Sequence, residues 1–138
     1  SARQASVFTQ SKYYETLEEI IESSDALFLT VPDGAIENVW NSIKTYSLTG
    51  KFICHCSGVM TSAVFSEIDQ MGAFGYSIHP LFAVHSKLQS YQEISQAFFT
   101  IEQDHAVISK LKHNKPLTSE DVEALENILW SEVGTKQE

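Results

Sequence analysis

Only two cysteines occur in this 138-residue sequence, Cys54 and Cys56, one residue apart. On a strand such a pair points the same way at about 6–7 Å between Cα atoms, the edge of disulfide reach, so a reduced, cytoplasmic protein is expected. Basic residues are also few. Nine Lys and Arg stand against 18 Asp and Glu, a formal net charge of -9. A chain this acidic is repelled by phosphate backbones and anionic lipid, which argues against nucleic-acid and membrane-surface roles. No apolar run approaches the length of a membrane span, and the first residues lack the basic-then-apolar layout of a secretory signal. Absent too is any Gly-x-Gly-x-x-Gly, the turn whose backbone cradles a diphosphate.

What is present is an ordinary globular composition, with 43% hydrophobic and 20% charged residues. The length fits one domain able to bury a core without staples. Ser1 to Gln10 is polar, the end of a helix or a frayed terminus. Thr16-Leu17-Glu18-Glu19 is a capping box opening a short helix with Leu17, Ile20 and Ile21 on one face. Ala26 to Val31 is a continuous apolar run closed by Pro32-Asp33-Gly34, which predicts a strand buried on both faces. In the stretch Ala35 to Tyr46, Ile36, Val39, Trp40 and Ile43 recur at helical spacing. Strands are expected over 51–56, 73–78 and 97–102. Between the first two of these, a helix capped by Thr61 or Ser62 carries Val64, Phe65, Ile68 and Met71 inward and stops at Gly72. Strands alternating with helices predict an α/β fold with a mainly parallel sheet of about four strands. Beyond about Asp104 helix follows helix, over His105–Lys112 and again from Thr118, so the chain divides into an α/β part, 1–104, and a helical tail, 105–138.

Ligands of parallel sheets bind at the carboxyl ends of strands, where the strand order reverses. Three segments end strands with unusual chemistry: Val31-Pro32-Asp33-Gly34, His55-Cys56-Ser57-Gly58 and Ile78-His79-Pro80-Leu81. Each has a structural alternative. Pro-Asp-Gly is a common turn, Ser57-Gly58 a tight strand exit, and His79 a core histidine. Their recurrence at one end of successive strands favours a shared functional rim. Against a metal site, with Cys54, Cys56 and one of His55, His79, His85 or His105 as ligands, stands the lack of a second cysteine pair; strand alternation also turns His55 away from both cysteines. No metal is expected. A cysteine nucleophile lacks a partner at suggestive spacing, and Ser57 lacks the Gly-x-Ser-x-Gly elbow of a hydrolase.

Taken in order, Ser24 to Ile36, His55-Cys56-Ser57-Gly58, Gly75 to Leu81 and Phe99-Thr100-Ile101-Glu102 resemble the Rossmann-like, NADP-dependent oxidoreductase-like proteins related to pyrroline-5-carboxylate reductase. The resemblance covers about residues 16–104. It implies a truncated Rossmann-like three-layer domain, NADP or NAD as cofactor and an unidentified small-molecule substrate. Val31, Pro32 and Asp33 would then lie near the dinucleotide, Ser57 and Gly58 on its nicotinamide side, and His79 and Pro80 toward the substrate. No catalytic residue carries over, because in such proteins the cofactor performs the hydride chemistry. The family opens with a strand and glycine-rich turn that has no counterpart here, and its helical dimerisation domain is missing too. The expected function is therefore an oxidoreductase-like protein with an incomplete cofactor domain, or alternatively a non-catalytic association module on the same scaffold. A sheet without its first strands exposes an inner edge, so a homo-oligomer is expected, with the C-terminal helix exchanged or covering that edge. Residues 113–136, with Lys115-Pro116-Leu117-Thr118 and Leu125 to Trp130, resemble instead a helical segment near the end of the motor subunit of type I restriction enzymes.

Overall fold

The computed structural model describes residues 1–86, 89–103 and 115–123. Four strands, β1 (Ala26–Leu29), β2 (Phe52–His55), β3 (Phe74–Leu81) and β4 (Phe98–Glu102), form one sheet in the order β1-β2-β3-β4. The first three run parallel, and β4 returns antiparallel to β3. This is an α/β fold with a mainly parallel sheet, as the alternation of patterns predicted. The strand order does not reverse within these four strands.

The helices begin where local chemistry satisfies their free amides. In α1 (Ala2–Thr9) the Ser1 hydroxyl accepts from the Gln4 amide, and no residue of the helix is buried. Thr16 and Glu19 close the expected capping box on α2 (Leu17–Glu22), which buries Ile21. The α3 helix (Asp33–Ile43) connects β1 to β2 and turns Ile36, Trp40 and Ile43 inward, the stripe read from their spacing. A short α4 (Gln89–Glu93) precedes β4. Residues 119–123 are helical, as expected from Thr118 onward, and Thr118 and Asp121 cap each other. The expected helix over His105–Lys112 and the rest of the tail lie outside the described residues.

The core lies on one face of the sheet. Leu27, Leu29 and Ile53 meet Ile36, Trp40 and Ile43 of α3, with Ile21, Leu48, Phe65 and Ile68 closing the sides. Trp40 is wholly buried, meets Phe65 edge-on at 5.3 Å and donates its Nε1–H to the Ser66 carbonyl at 3.2 Å. Gly75 has no side chain because there is no room for one: a Cβ there would stand 3.0 Å from the Phe65 ring and 3.3 Å from Ile68. Among the described residues, no helix is long and apolar enough to cross a membrane.

Three expectations are corrected. The run Ala26–Val31 predicted a strand covered on both faces; Leu27 and Leu29 are buried, but Phe28 between them is 55% exposed. A continuous apolar run records that both faces are apolar, not that both are covered. The single helix expected from Thr61 to Gly72 is two short 3-10 turns, Ser62–Val64 and Ile68–Met71, separated by Glu67 in the left-handed region. Phe65 and Ile68 still point inward, because tertiary partners replace the helical ladder: Glu102 holds the Ser62 amide and Trp40 takes the Ser66 carbonyl. Finally, β3 does not stop at Ile78 but continues through His79 and Pro80 to Leu81. Past Ser77, among the described residues, only β4 flanks it, the kind of edge position where a strand tolerates proline.

Trp40 carries the largest share of this core. Trp40→Ala is expected to cost about 3–5 kcal/mol, read as a fall in the urea midpoint; a loss under about 1 kcal/mol would contradict this packing.

Candidate functional site

The register places Leu29 beside His55 and His55 beside Ser77, so β1 and β2 end at one rim while β3 runs past it to Leu81. His55 organises it. Its ring is wholly buried, tilted against Phe65, with Nδ1 accepting the Ser57 amide at 3.2 Å and Nε2 within 3.0 Å of the Thr61 carbonyl. An acceptor at Nδ1 and a carbonyl at Nε2 fix the neutral tautomer that carries its proton on Nε2. The imidazole thereby closes the loop from 56 to 61 onto the strand it leaves.

Ser57 continues the closure. Its hydroxyl oxygen accepts from the amides of Val59 and Met60, each at 3.2 Å. From the neighbouring strand, the Ser77 hydroxyl donates to the Met60 carbonyl at 3.2 Å. Glu102, at the end of β4, takes the Ser62 amide on one oxygen at 2.8 Å and the Ser62 hydroxyl on the other at 3.2 Å. Strands β2, β3 and β4 therefore all grip one loop.

Gly58 and His79 touch. A Cβ on Gly58 would lie 2.7 Å from Cε1 and 2.9 Å from Nε2 of the His79 ring, so only glycine lets the imidazole lie against this backbone. His79 Nδ1 donates to the Cys56 carbonyl at 3.2 Å. In the neutral ring this leaves Nε2 as an acceptor with no partner among the described residues. The structure thus brings Ser57, Gly58 and His79 together. Pro80, the next residue of β3, projects to the opposite face and pairs with Phe99. Val31, Pro32 and Asp33 leave β1 at the same rim: Val31 is partly exposed, Pro32 takes the N-cap position of α3 without a side-chain bond, and Asp33 puts a carboxylate in the first turn. A cleft of about 420 Å³ lined by Glu37, Met60, Thr61, Ala63, Val64 and Ser66 adjoins the loop.

Cys56 serves this rim through its backbone carbonyl and not through its thiol. Both cysteines are free, Cys54 buried and Cys56 half-buried. Burial, with a smaller contribution from Cys56, pushes the Cys54 thiol up to about 11, and burial also raises Cys56. Thiols held in the protonated form are poor nucleophiles and poor metal ligands. Among the described residues no three His, Cys, Asp or Glu side chains come together as a metal would require. His85 is engaged elsewhere, with Nδ1 at 3.1 Å from the Ala83 carbonyl, and His105 lies outside the described residues.

Sequence reading did not find the roles of His55 and Glu102. A histidine inside an apolar strand run is a signal in retrospect, since burial there demands two partners for the ring. Glu102 gives none: its partner lies forty residues away.

No family model matches the chain, and no curated protein does. Among solved structures it is similar to protein TM1727 from Thermotoga maritima, at 28% identity over 75% of this chain, with a TM-score of 0.49. The chain spans about a third of that protein's length, 36%.

Two expected outcomes follow from this geometry. Gly58→Ala forces the His79 ring aside and is expected to destabilise by roughly 1–3 kcal/mol. Combined with His79→Ala the loss should be well below additive, as chemical denaturation of the four chains of a double-mutant cycle will report. The second concerns alkali. Cys54 titrates higher in the folded than in the unfolded chain, so the folded state holds its proton longer, and stability should fall as pH rises from about 9 to about 11. Cys54→Ala should flatten that fall by about 1 kcal/mol; an unchanged slope would exclude this thiol as the source.

Proposed function

We propose that the rim at Gly58 and His79 is the nicotinamide side of an NAD(P) site, in an oxidoreductase-like protein acting on a small molecule. The observation that carries this reading is the contact between Gly58, just past the carboxyl end of β2, and the ring of His79, on the stretch of β3 that runs beyond its parallel pairing. A side-chain-free backbone beside an imidazole with an open acceptor suits a planar amide-bearing ring.

The residues present fit one part of the cofactor. The open Nε2 of His79 would accept from a carboxamide or from a substrate hydroxyl. Asp33, a carboxylate in the first turn of α3, suits the hydroxyls of a ribose better than a phosphate, which it would repel. For the diphosphate the sequence offers no Gly-x-Gly-x-x-Gly turn. When bound, the cofactor supplies the hydride. The chain's own part is to present the ring against Gly58 and to hold the loop rigid through His55, Ser57 and Glu102. The free thiols of Cys54 and Cys56 support a reducing compartment such as the cytoplasm.

A second reading, a non-catalytic association module, is favoured by a specific observation. Among the described residues β1 is hydrogen-bonded on one side only, which leaves its outer row of backbone groups open for pairing there.

Fluorescence titration with NADPH and with NADH on the full chain separates the two. Saturable micromolar binding that His79→Ala weakens by roughly tenfold is expected of the nucleotide site. Absence of binding at millimolar nucleotide would overturn it and leave the association reading.

A further inference from the structure

Among the described residues, the face of the sheet turned away from α3 carries large, partly exposed apolar side chains that the rim does not use. Residues paired across neighbouring strands share a face, and the register links Phe28 through Cys54 to Tyr76, then Ile78 to Ile101 and Pro80 to Phe99. Phe52 and Phe74 lie in the adjoining row of that face. Phe28, Phe52, Phe74, Phe99 and Ile101 are 55%, 42%, 45%, 50% and 67% exposed. From Ala26 on β1 to Ile101 on β4, no residue on this face carries a charge.

We propose that this face docks a second copy of the chain, sheet against sheet. The proposal deepens the association reading above and rests on it, but it assigns contact to the face and not to the open edge of β1. Three observations on the molecule favour a second copy as the occupant. The first is area. The five side chains leave roughly 500 Å² of apolar surface uncovered, so two copies would bury about 1,000 Å² together, which reaches the lower bound of a specific interface. The second is charge. A chain of net charge -9 repels its own kind over most of its surface, and the face without charge is where two copies meet at least electrostatic cost. The third is order. Phe52 stacks on Phe74 at 5.5 Å and lies 6.0 Å from Tyr76, so the rings are held in place before docking and little side-chain freedom is lost. Phe52 sits on β2, flanked by β1 and β3, in the row of the face that it shares with Ala26 and Phe74.

Sedimentation velocity on the full chain across the micromolar range tests this. A dimer is expected, and Phe52→Glu should weaken it at least tenfold by burying an unpaired carboxylate of each copy in an apolar interface, with the far-ultraviolet circular dichroism unchanged. Should that variant fail to fold, a photo-reactive benzophenone side chain in place of Phe28 keeps the test open. Cross-links from it to the same face of another copy support the docking mode, whereas cross-links only within the chain or to other surfaces overturn it. A monomer at every concentration overturns both this proposal and the association reading. A dimer indifferent to Phe52→Glu overturns the face alone.

Discussion

A single buried imidazole holds the rim together. His55 lies in the last position of β2 with no solvent to satisfy its two nitrogens, so both must find partners inside the protein, and the nearest are the backbone groups of the residues that follow. The Ser57 amide and the Thr61 carbonyl meet that demand, and in meeting it they bend the chain back over the strand end. The Ser57 hydroxyl, the Gly58–His79 contact and the Glu102 grip on Ser62 are all arranged on a loop whose path the imidazole sets. An apolar side chain at 55 would fill the space without dictating where the loop goes.

The molecule is asymmetric about its sheet. Toward α3 lie the core, His55 and the loop it closes; toward the other side lie aromatic rings that the described residues leave about half exposed. The two proposals divide along this plane: a ligand at the end of the strands and a partner on the bare face use different surfaces, so neither occupant displaces the other.

Much of the architecture was legible because it rests on local rules. The capping box at Thr16, the stripe of Ile36, Trp40 and Ile43, and the sequence of strands each follow from spacings within a dozen residues. Legibility failed where distant groups decide. Between Thr61 and Gly72 the apolar spacing is helical, yet Glu102 and Trp40 draw the backbone groups into tertiary bonds and the helix breaks at Glu67. The reach of β3 through Pro80 depends on β4 lying alongside it. The rim itself was marked by Ser57, Gly58 and His79, whose residue types are informative. Their contact, and the separation of Pro80 from His79 by strand alternation, required the fold.

The bond between Glu102 and Ser62 makes one part of the rim conditional on another. It spans forty residues, and β4 reaches β3 only after the connection 82–97, whereas the pairing of β1 with β2 through α3 needs nothing beyond residue 55. Any local opening that lifts β4 from β3 withdraws the Glu102 carboxylate from Ser62 without breaking a bond between β1 and β2. The surface that the rim presents is therefore tied to the fate of the last strand of the sheet, and the scaffold beneath it is not.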